Sequence, residues 1–177
     1  MTWLAIAAAA VIGFLLWRMA FAGIAPKPGD AAPGFTLPDQ GSTMRSLADF
    51  RDKWLVLYFY PRDDTPGCTR QACAFRDAWR TLTALGAEVV GVSVDNVARH
   101  FAFAERFDLP FLLLADTGGV VASRYGSALN LGLFKIARRN TFLIDPRGRI
   151  ARVYLSASTS RNSQQVIDDL HELKKRE

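Results

Sequence analysis

The run Trp54-Leu-Val-Leu-Tyr-Phe-Tyr60, closed by Pro61, constrains the fold of this chain more than any other stretch. Consecutive apolar, aromatic and β-branched residues without polar alternation read as a strand buried on both faces, and a proline at its end cannot continue a central ladder. A strand covered on both faces needs a layer above and a layer below, which directs the chain toward an α/β architecture. Further strand-like runs at Glu88 to Val94, Phe111 to Ala115, Thr141 to Ile144 and Arg149 to Leu155 alternate with helical stretches until the last two, which Asp145-Pro-Arg-Gly148 joins as a hairpin. With a final helix over Ser163 to Lys174, this order predicts an α/β sandwich around a mixed central sheet. The chain has 177 residues, half of them apolar, and no internal repeat or low-complexity linker, so a single core is expected.

Chemistry is expected at the C-terminal end of the first buried strand. Both cysteines of the chain, Cys68 and Cys73, lie in Pro61-Arg-Asp-Asp-Thr65-Pro-Gly-Cys68-Thr-Arg-Gln-Ala-Cys73. From Thr65 onward the pattern turns helical: Thr65 as a possible N-cap, Pro66 in the first turn, apolar residues at Ala72, Phe75, Trp79 and Leu82, and Gly86 as a stop. Cys68 then falls in the first turn, where unpaired backbone N–H groups and the positive end of the helix dipole favour a negative sulfur over a neutral thiol. A fast thiol enzyme needs more than this, namely donors that stabilise the charge moving from sulfur to the leaving atom.

The pattern Pro61-x-x-x-Thr65-x-x-Cys68, with Cys73 five residues on, resembles the peroxiredoxins, and within them the bacterioferritin-comigratory-protein or Q subgroup. The likeness runs from about Pro28 to the last helix, through Phe35-Thr-Leu-Pro, Val90-Gly-Val-Ser-Val-Asp95, Leu112-Leu-Leu-Ala-Asp116 and Arg139-Asn-Thr-Phe-Leu-Ile-Asp145. It implies a thioredoxin-like fold and a peroxidase that needs no metal or organic cofactor. By position, Cys68 would be the peroxidatic cysteine and Cys73 the resolving cysteine. Thr65 would hydrogen-bond the peroxide and the thiolate, Pro61 would wall the pocket, and Arg139 would hold the thiolate. Arg139 is preferred to Arg138 because it stands three residues before Phe142 in the apolar strand. The implied partners are peroxide substrates and thioredoxin or a similar dithiol, and the expected state is a monomer or weak dimer.

The spacing of the two cysteines adds a physical step. Residues five apart on an α-helix have Cα atoms roughly 8 to 9 Å apart, whereas a disulfide requires less than about 7 Å. Closing a Cys68–Cys73 bond therefore requires the first turn or two after Cys68 to unwind.

Other chemistries fit less well. Two cysteines in a chain of this size are often inert core residues, and Thr65 and Pro61 also serve as a cap and a strand end. A zinc site or a Cys-His hydrolase would need His100 or His171; neither is at ligand spacing from the cysteines, and both are expected on the surface. Thiol-disulfide reductases carry Cys-x-x-Cys, and copper-delivering proteins of the Sco type carry Cys-x-x-x-Cys-Pro with a distant histidine; the four-residue gap here departs from both. A net charge of +5 and a cluster of Lys135, Arg138, Arg139, Arg147, Arg149 and Arg152 include no nucleic-acid-binding motif, so no nucleic acid is expected as a partner.

The N-terminus departs from the family pattern. Trp3 to Trp17 is uncharged and mainly apolar, and with Arg18 snorkelling the stretch Trp3 to Ala25 reaches membrane length. An uncleaved transmembrane helix is therefore expected, with residues 1–26 as membrane anchor and short linker and 27–177 as the catalytic domain. Arg18, Lys27, Arg45, Arg51 and Lys53 follow the segment, which by the positive-inside rule places the domain on the cytoplasmic side of a bacterial inner membrane. Alternatives are an extracytoplasmic domain, or translation from Met19 with no anchor.

Overall fold

A computed structural model describes residues 23–130 and 135–175. A mixed five-stranded sheet, ordered β5-β4-β3-β8-β9, forms the centre. Its strands are β3 (Trp54–Phe59), β4 (Ala87–Ser93), β5 (Leu112–Ala115), β8 (Thr141–Ile144) and β9 (Ile150–Tyr154). β3 pairs in parallel with β4, and β4 with β5, whereas β8 runs antiparallel to both β3 and β9. Each parallel neighbour is reached through a helix, α1 (Pro66–Ala84) or α2 (Val97–Arg106), and the antiparallel pair through the turn Asp145–Gly148, where Gly148 adopts φ +77° and its N–H donates to the Asp145 carbonyl at 2.9 Å. The expected strands and helices agree with the structure to within one residue at most ends.

β3 shows why an unbroken apolar run was needed. Its successive side chains point to opposite faces. Trp54, Val56, Tyr58 and Tyr60 join Phe75, Leu82, Phe103, Leu113, Val166 and Leu170 in one core, while Leu55, Leu57 and Phe59 join Val90, Val92, Tyr125, Phe142 and Ile144 in the other. Helices α1 and α2 and the C-terminal helix α4 (Asn162–Lys174) cover the first face. The short helix α3 (Val120–Arg124) contributes Val121 and Ala122 to the second. Gly91 on β4 has a packing reason: a Cβ there would come within 2.8 Å of the Tyr58 ring and of Leu113 Cδ2. Two small hairpins escaped the sequence reading, β1 (Thr36–Pro38) with β2 (Met44–Ser46), and β6 (Ala128–Asn130) with β7 (Lys135–Ala137). Three-residue strands are too short for alternation to register.

The expected membrane helix is corrected here. No helix of the described residues is long and apolar enough to cross a membrane. Most of the stretch Trp3 to Ala25 lies outside the described residues, and the part that lies within them, residues 23–25, belongs to no helix and places Ala25 against the second core. Length, hydropathy and the positive charges that follow an apolar stretch do not by themselves make it a membrane span, and the membrane-anchored localisation does not stand.

Candidate active site

The last ladder bond of the β3 segment, from Tyr60 N–H to the Val92 carbonyl at 3.1 Å, is followed at once by half-buried Pro61. The chain then crosses the C-terminal end of the sheet and enters α1. Thr65 stands at the N-cap in extended conformation (φ −84°, ψ 144°), and its carbonyl accepts the first helical bond from Thr69 at 2.9 Å. Its hydroxyl does not cap the helix as expected, nor does it bond the sulfur; it donates back to the Arg62 carbonyl at 3.1 Å. The fixed φ of Pro66 suits the first helical position, so a helix begins here without a side-chain cap.

Cys68 lies in that first turn with 1% of its surface exposed, whereas Cys73 is half-buried, and both are free thiols. Arg139 reaches across from the segment before β8. Its Nη2 donates to Cys68 Sγ at 3.3 Å and its Nη1 to Gln71 Oε1 at 2.6 Å. A guanidinium against sulfur adds positive charge to that of the helix terminus. Arg139 rather than exposed Arg138 occupies this place because the backbone around it is pinned. The Arg139 carbonyl accepts from Ala157 N–H at 2.7 Å, and the neighbouring buried Asn140 accepts from Phe59 N–H at 2.8 Å and donates through Nδ2 to Ser127 Oγ at 3.0 Å.

Two residues of this site were not singled out from sequence. Gln71, 1% exposed, braces Arg139 and donates through Nε2 to Asn162 Oδ1 at 3.3 Å, which also accepts from Thr141 Oγ1 at 2.7 Å. Gly67 leaves the space that the guanidinium uses, since a Cβ there would stand 3.2 Å from Arg139 Nη2. A polar residue at i+3 from Cys68 on an otherwise core-facing stripe was the available signal for Gln71.

His100 is a correction. It was expected on the surface, yet it is fully buried, with Nδ1 2.8 Å from Asp63 Oδ2 and Nε2 3.2 Å from the Leu114 carbonyl. It shares the inner face of α2 with Phe103 and Ala104, the i+3 and i+4 neighbours, and helical periodicity shows this once the helix is phased. His171 is exposed, as expected. Residues of the basic cluster have separate partners: Lys135 donates to the Gly118 carbonyl, Arg149 to the Gly29 carbonyl, and Arg152 pairs with Asp169 and Glu172.

The chain that carries this thiol and arginine is similar to known proteins. Residues 28–153 fit the model of the AhpC/TSA family. The chain belongs to that family. It is 42% identical over 146 residues to a protein of Coxiella burnetii bearing the name peroxiredoxin bcp, covering 80% of this chain and 97% of that one. It is 45% identical over 126 residues to the chloroplastic peroxiredoxin Q of Triticum aestivum, covering 71% of this chain and 58% of that longer relative. Among solved structures, peroxidoxin BcpB from Mycobacterium tuberculosis superposes with a TM-score of 0.80 at 35% identity over 84% of this chain and 98% of that one. This peroxiredoxin therefore has the thioredoxin-like fold with a mixed central sheet, and neither the reductase nor the copper-carrier alternative is favoured.

Proposed function

We propose that this peroxiredoxin reduces hydrogen peroxide and organic hydroperoxides with Cys68 as the attacking thiolate and Cys73 as the resolving thiol. The Cys68 sulfur attacks the terminal peroxide oxygen, the O–O bond breaks, and the departing oxygen takes up a proton as water or alcohol, leaving Cys68 sulfenic acid. The Cys73 thiol then displaces that hydroxyl as water, forming the Cys68–Cys73 disulfide. A dithiol of the thioredoxin type returns both residues to thiols, and the disulfide electrons come from it.

The observation that carries this reading is the Arg139–Cys68 contact at 3.3 Å with Gln71 holding the other arm of the guanidinium. A fixed cation beside the sulfur stabilises the thiolate and the charge that develops on the peroxide oxygens without reorganising in the transition state. Thr65 would turn its hydroxyl from Arg62 to the bound peroxide, and Pro61 would shield the pocket from water. Because α1 is helical through both cysteines, its start must open for resolution, as the five-residue spacing requires.

Rapid mixing of the protein with peroxide tests the assignment. Cys68→Ser is expected to abolish the first oxidation. Cys73→Ser is expected to keep one fast turnover and stall as sulfenic acid. A wild-type reaction no faster than that of an ordinary free thiol would overturn the reading.

A further inference from the structure

Beneath the Pro61–Thr65 loop lies a buried polar cluster that the proposed chemistry does not use. Asp63, 1% exposed, faces His100, which is 0% exposed, at 2.8 Å. The Leu114 carbonyl can only accept, so His100 Nε2 carries a proton and donates to it, while Nδ1 faces the carboxylate. Asp63 Oδ1 accepts from the Tyr60 hydroxyl at 2.7 Å. Burial, with the neighbouring Tyr58 and Asp63 adding to it, pushes the Tyr60 phenol well above its ordinary range, so it stays a donor. The Asp63 backbone N–H donates to Asp95 Oδ2 at 2.8 Å, and Asp95 is itself held by Ser93 Oγ at 2.9 Å and by Arg99 at 3.1 Å. Asp64, in the left-handed region at φ +60°, pairs with Arg106 at 2.9 Å.

Pro61 and Thr65 are thus the two ends of a loop whose middle is tied to α2 and to the end of β4. Burying a carboxylate and an imidazole is costly unless they are bonded to each other, and apolar side chains at both positions 63 and 100 would avoid that cost. What apolar packing would not supply is direction. Four bonds, from Asp63 to Tyr60, His100 and Asp95 and from Asp64 to Arg106, leave the loop little freedom to slide along the sheet edge, whereas packing alone tolerates such a shift.

We propose that Asp63 and His100 are positioning residues of the active site: by tying the centre of the loop to α2, they set where Thr65 and Pro61 stand relative to Cys68. Neither touches the reacting atoms. The inference rests on the peroxidase reading of Cys68, and it gives a role to residues inside the x-x-x gap of Pro61-x-x-x-Thr65. The pair also lets the loop keep its place while the start of α1 opens, because its bonds go to α2, Tyr60 and Asp95 and none goes to α1.

The test is single-turnover oxidation of Cys68 in the full chain, in a Cys73→Ser background, comparing Asp63→Ala with Asp63→Asn. Asparagine keeps an acceptor for Tyr60 and presents an N–H to a neutral His100 Nδ1, so the geometry survives without the carboxylate. Asp63→Ala is expected to slow oxidation by roughly tenfold or more, since misplacement of reacting groups by about 1 Å costs up to ~100-fold. Asp63→Asn is expected to stay within about twofold of the parent. In a Thr65→Val background the Asp63→Ala effect is expected to shrink, because the residue acts through Thr65, whereas a general loss of stability would carry over unchanged. Parent-like oxidation by Asp63→Ala, an asparagine variant as slow as alanine, or a full-sized effect without the Thr65 hydroxyl would each overturn the proposal. If Asp63→Ala does not fold, Tyr60→Phe removes one bond of the cluster and keeps the ring; slower oxidation is expected, and an unchanged rate overturns the proposal. A parent protein that reacts no faster than a free thiol would instead overturn the peroxidase reading itself.

Discussion

The loop Arg62–Asp64 and the helical stretch Cys68–Cys73 flank Thr65 on either side and are held in different ways. The loop has no regular secondary structure, yet Asp63 is fixed by three polar contacts, with Tyr60, His100 and Asp95, and Asp64 by an ion pair with Arg106. The helical stretch has regular backbone bonds, and two side chains within it tie it to the rest of the molecule, Cys68 to Arg139 and Gln71 to Arg139 and Asn162. Irregular backbone is thus the anchored part and regular backbone the part that resolution requires to move. Helical bonds re-form within microseconds once the ends are free, so a helix start is a suitable mobile element beside a fixed loop.

The sharpest way to break this comparison is at the group that bridges it. Arg139→Met keeps much of the side-chain bulk and removes the cation from Cys68. The first oxidation is expected to slow by about 100-fold or more, the size associated with losing one preorganised donor. Stopped-flow mixing with peroxide measures it, and a loss of under fivefold would place the activation in the helix terminus alone.

Hydrogen exchange on the reduced and oxidised protein addresses the mobile side. Amides of residues 68–75 are expected to lose roughly tenfold or more protection on oxidation, while that of Asp63, donated to Asp95, keeps its protection. Unchanged protection across 68–75 would show that the bond closes without unwinding.

Gln71 belongs to both regions, since it braces Arg139 and fastens the start of α1 to Asn162. Gln71→Ala is expected to slow the first oxidation several-fold and to speed closure of the disulfide by a similar factor, two opposite changes that a general loss of stability would not produce. Separate timing of sulfenic acid formation and of its disappearance distinguishes them.

Much of this was legible in the sequence because it follows from short-range rules. The β3 run, the Asp145–Gly148 turn and the start of α1 at Thr65 each depend on neighbours within a few residues. The resemblance to peroxiredoxins then pointed to Cys68, Cys73 and Arg139, and the last of these meets Cys68 across 71 positions of sequence. His100 was misread because a polar residue defaults to the surface until a partner is known, and its partner, Asp63, is 37 residues away. Gln71 and Gly67 passed unnoticed for a related reason: their value lies in what Arg139 does in space. The N-terminal hydropathy argument failed differently, since an apolar stretch of intermediate length is compatible with several fates.

The smallest effect is expected where packing occurs without positioning. Tyr58 and Tyr60 stand two residues apart on the same face of β3, stacked with ring centroids 5.4 Å apart, and both are fully buried with phenols pushed well above their ordinary range by desolvation. Tyr60 gives its hydrogen to Asp63, whereas the Tyr58 hydroxyl has no protein partner among the described residues and rests over Gly91, stacked on Phe75 at 4.9 Å. Tyr58→Phe removes that hydroxyl and keeps the ring contacts, so the oxidation rate is expected to stay within about 1.5-fold of wild type, with stability unchanged or raised by up to ~1 kcal/mol. Tyr60→Phe, the same chemical change one turn of the pleat away, is expected to slow oxidation because it loosens Asp63. Equal rates for the two variants would mean that the hydroxyl on Asp63 adds nothing beyond the packing of its ring, and the assignment of Asp63 as a residue that positions the loop would fall with it.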